Sequence, residues 1–204
     1  MPSRISVPPI IFALFLVSCA GGVKNAADAP GVVTLGEQGR FTLLDPQYIE
    51  APLDTAQRIS GAYGKEEFAV NAWVKADGGG VSMVFMSGPG MSLGEFEFSA
   101  GSVSLVSPYL PGNIRAEYLA ADFQLCYYQV EALRKALDGL TLYAGPKPMP
   151  RSDARETRPI PDAQLRRIYE GDNLIIEIET GAGEIKYTNL LRNYSYTITA
   201  GAAE

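Results

Sequence analysis

The sequence predicts a mainly β fold of the α+β class: a curled antiparallel half-barrel of about ten strands with a helical plug. Most segments alternate apolar and polar residues with a period of two, and glycine-rich turn signals separate them. One segment instead spaces its apolar residues three and four apart, which is typical of a helix. A sheet with that many strands must curl or close, so we expect the helix to fill its concave side.

The chain begins with a segment that resembles a bacterial lipoprotein signal. Arg4 precedes an apolar run, residues 7–17, that is about half as long as a membrane-spanning helix. The run leads into Leu-Val-Ser-Cys at 16–19, which resembles the lipobox, whose cysteine receives a lipid and becomes the new N-terminus. The resemblance implies a signal peptide over 1–18, lipidation at Cys19 and, because alanine follows, an outer-membrane location. An ordinary secretory signal that happens to end in cysteine is the alternative.

The part after the signal is predicted to contain one folded domain. Residues 19–38 are rich in alanine, glycine and small polar residues, which favours a lipidated flexible tether. A structured arm over 32–35 is the alternative. The domain itself is predicted over 39–200, with a helical insertion at 114–138.

The strands follow from the period-two segments. On the segment 67–76, Phe68 and Val70 point to one side and Trp73 to the other, and the glycine-rich residues 77–80 supply a hairpin turn. The predicted strands are 40–44, 57–63, 67–76, 81–87, 93–98, 103–106, 165–169, 174–179, 184–191 and a last one from Asn193, in which Tyr194, Tyr196 and Ile198 share a face.

The helical insertion has a single apolar stripe. Its members are Leu119, Phe123, Cys126, Val130, Leu133 and Leu137. Residues 145–161 follow, and their prolines and charges predict a long, exposed, irregular loop.

Composition excludes several kinds of chemistry. The chain has no histidine, which removes Ser-His-Asp catalysis and the commonest zinc ligand. Cys126 therefore lacks the usual activating base, and its apolar neighbours predict a buried thiol. The net charge is −6, so nucleic acid is not expected as a partner. We predict a protein that is not an enzyme and uses no cofactor or metal; an enzyme acting on acyl chains is the third-ranked interpretation.

The predicted sheet and helix carry many large apolar side chains. Methionine and aromatic residues together suit an adaptable surface for flexible chains, so we predict a cavity for an acyl- or polyene-type ligand. For each residue taken singly, ordinary core packing is the alternative. The predicted ligand-binding residues are Phe68, Val70, Trp73, Met83, Phe85, Phe96, Phe98, Leu119, Phe123 and Tyr127.

The order of half-barrel strands, helical segment, long loop and closing strands resembles the lipoprotein localisation fold of LolA and LolB. The best local match, residues 118–133, is similar to the helical segment of uncharacterised LolB-like lipoproteins associated with aryl-polyene synthesis clusters. Members of that family tend to have an aromatic residue followed by a proline where this chain has Tyr128-Gln129, so the resemblance implies a break between two short helices there. LolB delivers lipoproteins with an exposed leucine on a protruding loop. The matching residues here, 76–80, are short and polar, so another amphiphile is the expected ligand.

These observations favour an outer-membrane-anchored periplasmic lipoprotein that binds or transfers a hydrophobic ligand. Its expected partners are the membrane, through the N-terminal lipid, the lipid-like ligand and an envelope protein. The alternative is a structural or interaction lipoprotein of an envelope assembly, with a filled core and with the loop at 145–161 contacting its partner.

Overall fold

The computed structural model describes residues 31–99, 101–107, 109, 114–146 and 164–201. The predicted signal peptide, the lipidation site at Cys19 and nearly all of the predicted loop at 145–161 lie outside the described residues. In the part that is described, no helix has the length and apolar character needed to cross a bilayer.

Thirteen strands and two α-helices make up the described chain. The strands are β1 (Val32–Thr34), β2 (Arg40–Thr42), β3 (Leu53–Tyr63), β4 (Glu66–Asp77), β5 (Gly80–Met86), β6 (Ser92–Ser99), β7 (Ser102–Val106), β8 (Leu137–Asp138), β9 (Thr141–Pro146), β10 (Gln164–Glu170), β11 (Asn173–Gly181), β12 (Glu184–Asn189) and β13 (Tyr194–Ala200). The helices are α1 (Ala116–Tyr127) and α2 (Val130–Ala136), and a short 3-10 turn covers Pro46–Tyr48.

Ten of the strands form one antiparallel sheet in the order β7-β6-β5-β4-β3-β13-β12-β11-β10-β9. The sheet is curled but not closed, which confirms the predicted fold class. Strand β3 joins the two halves, because it pairs with β4 on one side and with the C-terminal strand β13 on the other. The strands β1, β2 and β8 form a separate small sheet.

Gly61 lies at the junction of the two halves, where β13 approaches β3 closely. A Cβ atom at this position would lie 2.7 Å from the Cα atom of Tyr196 on the neighbouring strand β13. Only glycine allows β3 and β13 to approach this closely while the sheet curls. Register shifts in β5 at Phe85/Met86 and in β10 at Ile168/Tyr169 add local bending.

The predicted alternation of apolar and polar side chains is confirmed in strand β6. Phe96 and Phe98 of β6 are buried, whereas Glu95 and Glu97 point outward into solvent. By register, the buried set of β4, β5 and β6 shares one face of the sheet with Tyr194, Tyr196 and Ile198 of β13. We call this side the concave face and the opposite side the convex face.

Several predicted boundaries were wrong. The tether does not extend to residue 38, because β1 is a strand whose Val33 is buried, so the structured-arm alternative is correct for 32–34. Strand β3 begins at Leu53, four residues before the predicted strand. Strand β9 was not predicted at all, and the predicted strand 184–191 ends at Asn189.

The helices lie between the main sheet and an N-terminal segment that we call the strap, residues 31–50. Residues 120–126 of α1 are all buried, because the sheet encloses one side of the helix and the strap covers the other. The side-chain amide of Gln124 holds the strap directly, accepting from Leu44 N at 2.8 Å and donating to Leu44 O at 3.0 Å. The central part of α1, residues 120–126, is therefore buried all round rather than along one stripe.

The predicted insertion at 114–138 contains two short helices, and the break between them lies at Tyr128-Gln129, where it was expected. Tyr128 and Gln129 are extended and separate α1 from α2. The strap pairs with this break, since Glu50 N donates to Tyr127 O at 2.9 Å and Gln129 N donates to Tyr48 O at 3.0 Å. The insertion also ends earlier than predicted, because Leu137–Asp138 forms strand β8 on the small sheet.

Candidate functional site

The predicted ligand-binding residues fall into three groups in the structure. The first group is packed inside the core on the concave face. It contains Met83, Phe85, Phe96, Phe98 and Phe123, each of which is less than 10 % exposed. These side chains fill the space between the sheet and α1.

The second group lies on the concave face but keeps part of its surface in solvent. Phe68 is 42 % exposed, and Val70, Leu119 and Tyr127 are half-buried. On α1, Leu119, Phe123 and Tyr127 are spaced four residues apart and so project from one side of the helix. The rings of Phe123 and Tyr127 are 4.7 Å apart.

Trp73 forms the third group by itself and is a correction to the predicted site. It is 48 % exposed on the convex face, where its Nε1 donates to Asp54 Oδ1 at 3.0 Å. Because neighbouring residues of a strand point to opposite faces, Trp73 cannot line a cavity together with Ala72 or Val74. Its side chain is on the wrong side of the sheet for the predicted ligand.

The second group surrounds an apolar area that we call the concave cleft. Register places Val70 of β4 opposite Ile59 of β3, and Gly61 of β3 between Phe68 and Tyr196. Helix α1 meets this area through Tyr127, whose hydroxyl accepts from Gln57 Nε2 at 3.0 Å. The half-buried or exposed members of the cleft are Ile59, Phe68, Val70, Leu119, Tyr127, Tyr194 and Tyr196.

A buried carboxylate lies next to the cleft. Asp122 of α1 accepts from the hydroxyl of Tyr187 at 2.7 Å and from that of Tyr194 at 2.9 Å. Burial raises the pKa of Asp122 to about 6, although the two tyrosine hydrogen bonds and the charge of Arg192 oppose this rise. Asp122 forms no ion pair with any residue that the structure describes. At neutral pH its ionised carboxylate is therefore hydrogen-bonded by uncharged hydroxyl groups.

The tyrosines around Asp122 form a stack. The Tyr187 ring is nearly parallel to those of Tyr196, at 4.8 Å, and Tyr194, at 5.7 Å. Asn189 Nδ2 donates to the Tyr194 hydroxyl at 3.4 Å, and Asn189 is itself buried. Burial and the nearby Asp122 raise the pKa of Tyr187 well above its usual value, so its hydroxyl remains a donor at neutral pH.

Cys126 is one turn beyond Asp122 and is also buried. Burial raises the pKa of its thiol to about 12, and the charge of Asp122 acts in the same direction. The thiol is therefore protonated at neutral pH and is a poor nucleophile. The prediction that Cys126 is a buried thiol is confirmed.

Two open surface grooves lie away from the core aromatic residues. One, of about 580 Å³, is formed by β3, β4 and β13. Besides Gly61 and Phe68 it is lined by residues that lie on the convex face by register, namely Ser60, Ala62, Glu67, Ala69 and Ser195. The other, of about 770 Å³, is formed by the turns that contain Gln38, Gly139, Gly171 and Leu190. Neither groove is lined by Met83, Phe85, Phe96 or Phe98. No cluster of three potential metal-ligating side chains occurs within the described ranges.

Three polar residues that organise this site could not be recognised from the sequence pattern. Asp122, Gln124 and Arg166 are all buried, and each makes side-chain hydrogen bonds to a distant part of the chain. A partial signal for Asp122 and Gln124 existed, because both are polar residues flanking the apolar Phe123 in the centre of the predicted helix. Their partners could not be read from the sequence, because they lie 65 and 80 residues away.

Comparison with known proteins identifies a family but no activity. A family model described as a protein of unknown function (DUF3261) matches residues 54–201. A search of curated proteins and a search of solved structures each returned no match. The matched residues include α1, α2 and nearly the whole ten-stranded sheet, and they exceed half of the chain. The chain therefore belongs to the DUF3261 family.

Proposed function

We propose that this protein is an outer-membrane-anchored periplasmic lipoprotein that binds or transfers a hydrophobic acyl- or polyene-type ligand at the concave cleft. The observation that carries the proposal is the partial exposure of apolar side chains on the concave face. Phe68 is 42 % exposed, and Val70 and Tyr127 are half-buried. Apolar residues on the inner side of a curled sheet are normally covered, and an uncovered group marks a surface for a ligand.

A ligand of this class gains affinity from burial of its chain. Each buried methylene contributes about 0.8 kcal/mol, so even a chain that is half covered can bind with micromolar affinity. Tyr127 and Tyr196 supply aromatic faces, and the amide of Gln57 supplies a polar group beside them. These features suit a long apolar ligand with a modest polar end.

The membrane location rests on the N-terminal sequence. Acylation of Cys19 together with cleavage before it would leave the strap about a dozen residues from the bilayer surface. The LolB-like relationship is part of the same proposal, and the polar turn between β4 and β5 favours an amphiphile other than a lipoprotein.

A structural or interaction lipoprotein is the second candidate function, and the packing of the core supports it. Phe85, Phe96 and Phe98 leave no exposed surface for a guest on their part of the concave face. In this alternative the cleft residues are the uncovered margin of a filled core. The protein would then act through its outer surface.

A pair of variants on one strand tests the leading proposal. Phe68→Ser and Trp73→Ser each remove an aromatic side chain of similar exposure from β4, the first from the concave face and the second from the convex face. We expect Phe68→Ser to weaken the binding of a fluorescent fatty acid by at least about tenfold, since burial of a phenyl ring contributes about 1.5–3 kcal/mol. Trp73→Ser should leave the affinity unchanged.

Native mass spectrometry of the full-length protein, purified in mild detergent, complements this titration. We expect a co-purifying apolar molecule on the wild-type protein that is reduced in Phe68→Ser. Protein that carries no such molecule and binds no fluorescent fatty acid contradicts the proposal and favours the structural alternative. Equal loss of binding in both variants contradicts the location at the concave cleft.

A further inference from the structure

The open sheet has three stretches of strand that lack a partner on one side among the described residues. Strands β7 and β9 are the two ends of the sheet. The third stretch is 66–70 of β4, because the ladder between β4 and β5 begins only at Asn71. Unpaired strand edges are templates for pairing with another chain, and most proteins protect them.

Two of the three edges are protected by their sequences. The free part of β4 begins with Glu66 and Glu67, and both side chains are exposed. Strand β9 ends in Gly145-Pro146, and proline has no N–H for a ladder. Charges and prolines at an edge are the usual devices against unwanted pairing.

Strand β7 has neither device. Its five residues, Ser-Val-Ser-Leu-Val, contain no charge, no proline and no glycine. Val103 and Leu105 are only half-buried on the concave face, and Val106 is 65 % exposed on the convex face. Strand β7 thus has the alternating apolar pattern of a strand in the middle of a sheet, although it is the last strand of this one.

We propose that β7 pairs in antiparallel orientation with β7 of a second copy of this chain, around a two-fold axis at Ser104. This register places Ser104 opposite Ser104 of the second copy and Val103 opposite Leu105. It joins two ten-stranded sheets into one and covers the exposed side chain of Val106 with Ser102 of the other copy. The strand is self-complementary in this arrangement, because apolar residues meet on the concave face and no charge is brought to the seam.

The neighbouring strand does not oppose the pairing. Glu95 and Glu97 of β6 project from the convex face, one strand away from the edge. In the proposed dimer, β6 of one copy and β6 of the other are separated by three inter-strand spacings, about 14 Å. Charges this far apart on a surface are largely screened at physiological salt.

Disulfide trapping tests the register. Ser104 and Ser82 are both exposed serines on the convex face, Ser104 on the edge strand and Ser82 on the interior strand β5. In the full-length protein in mild detergent, oxidation of Ser104→Cys should give a covalent dimer, because opposed Cβ atoms in an antiparallel pair lie within bridging distance. Ser82→Cys is the matched control and should remain monomeric on a non-reducing gel. Equal cross-linking of the two variants overturns the proposed register.

Analytical ultracentrifugation tests whether the pairing occurs without a cross-link. We expect the wild-type protein to sediment as a dimer and Ser104→Lys, which places a charge at the seam, to sediment as a monomer with an unchanged melting temperature. A wild-type protein that remains monomeric up to about 100 µM overturns the proposal and leaves the edge to an extended segment of a different protein. A dimer that persists in Ser104→Lys also overturns it, since the contact then lies elsewhere.

Discussion

At the scale of single residues, Asp122 is a buried acid whose ionised form is disfavoured by its surroundings. Its carboxylate is buried in α1, and the groups that hold it are the hydroxyls of Tyr187 and Tyr194. Desolvation favours the protonated acid, which raises the pKa to about 6 from the ordinary value of 3.8. At pH values between 3.8 and 6, Asp122 therefore keeps its proton in the folded protein, whereas in the unfolded chain it has already released it.

This pKa shift makes the stability of the fold fall as the pH rises. Because the folded-state pKa of Asp122 is raised, the free energy of unfolding is highest below pH 3.8 as far as this group is concerned, and it falls as the pH rises towards 6. Above pH 6 the ionised side chain costs on the order of 3 kcal/mol. Asp122→Asn should remove this cost, because the amide oxygen still accepts a tyrosine hydroxyl and carries no charge.

Urea unfolding at pH 4 and at pH 8 measures this effect. We expect Asp122→Asn to be nearly neutral at pH 4 and to raise the free energy of unfolding by about 1–3 kcal/mol at pH 8. Asp172→Asn, an exposed turn residue, is the control and should change neither value. An Asp122→Asn effect of the same size at both pH values would show that the charge is not responsible.

Residue-scale expectations from the sequence were right about alternation and incomplete about faces. The sequence correctly placed Phe68 and Trp73 on opposite faces of the sheet, since the side chains of a strand alternate. It did not reveal that the face with Phe68 is the concave one. Nor did it reveal that Phe85 and Phe96 are buried under the helix, whereas Phe68 is 42 % exposed. Those differences depend on where α1 lies along the sheet, which is a tertiary property.

At the scale of elements, the break between α1 and α2 is made by partners outside the helices. Arg166 of β10 is buried, and its Nη1 donates to Leu125 O at 2.7 Å and to Tyr128 O at 3.0 Å. Its Nη2 contacts Glu50 of the strap at 2.7 Å. Carbonyl oxygens at the end of a helix need donors, and here a guanidinium from the sheet provides them. The break therefore forms without a proline.

The geometry of the break predicts that proline is accepted there. Gln129 has a φ of −57°, close to the value that proline fixes, and the preceding Tyr128 is extended, as a residue before proline must be. Gln129→Pro loses one hydrogen bond, from Gln129 N to Tyr48 O, and restricts the unfolded chain. We expect the free energy of unfolding to fall by only about 1 kcal/mol, because the cost of the lost hydrogen bond is partly offset by the restriction of the unfolded chain.

Lys135→Pro is the contrasting variant, because Lys135 is an exposed residue inside α2. Proline there removes an intrahelical bond and clashes with the preceding turn, which costs about 3 kcal/mol or more. Lys135→Ala controls for loss of the side chain and should be nearly neutral. Similar destabilisation by Gln129→Pro and Lys135→Pro, measured by urea unfolding, would contradict this account of the break.

Among the elements, those with a strong local signal could be predicted, and those defined by distant contacts could not. Strands β4, β5 and β6 alternate clearly and are joined by glycine-rich turns, so the sequence places them within a few residues. Strand β9 contains Gly145 and Pro146, which favour a loop. It is a strand because it pairs with β10, whose first residues follow the undescribed segment 147–163. No short-range pattern carries that information.

At the scale of the whole molecule, the strap and the sheet are held together by a carboxylate at the end of β10. The Glu170 side chain accepts from the backbone N–H groups of Glu37, Gln38 and Gly39 at 2.7–2.9 Å. Gly36 is required by the same contact, because a Cβ atom there would lie 2.5 Å from Glu170 Oε1. Through this contact the turn between β1 and β2 is fixed to the turn between β10 and β11, and the strap stays over α1.

Glu170 and Asp122 have opposite effects on stability as the pH changes. The three backbone hydrogen bonds lower the pKa of Glu170 from its ordinary value of 4.5, so its contribution is fully present above pH 4.5 and is lost as the pH falls below that value. Asp122 contributes most at the acidic end and loses its contribution as the pH rises towards 6.

Glu170→Gln should loosen the strap at neutral pH without unfolding the sheet. The amide keeps one acceptor oxygen but turns an NH₂ group towards backbone donors, and the carboxyl is partly exposed, so we expect a loss of only about 1 kcal/mol. Hydrogen exchange should become faster at the amides of 37–39 and in β1 and β2, while the amides of β11 and β12 keep their protection. The exposed Glu97→Gln on β6 is the control and should leave both regions unchanged. Uniformly faster exchange across the sheet in Glu170→Gln would mean that the strap and the sheet unfold as one unit, and the strap could not then move independently of the cleft.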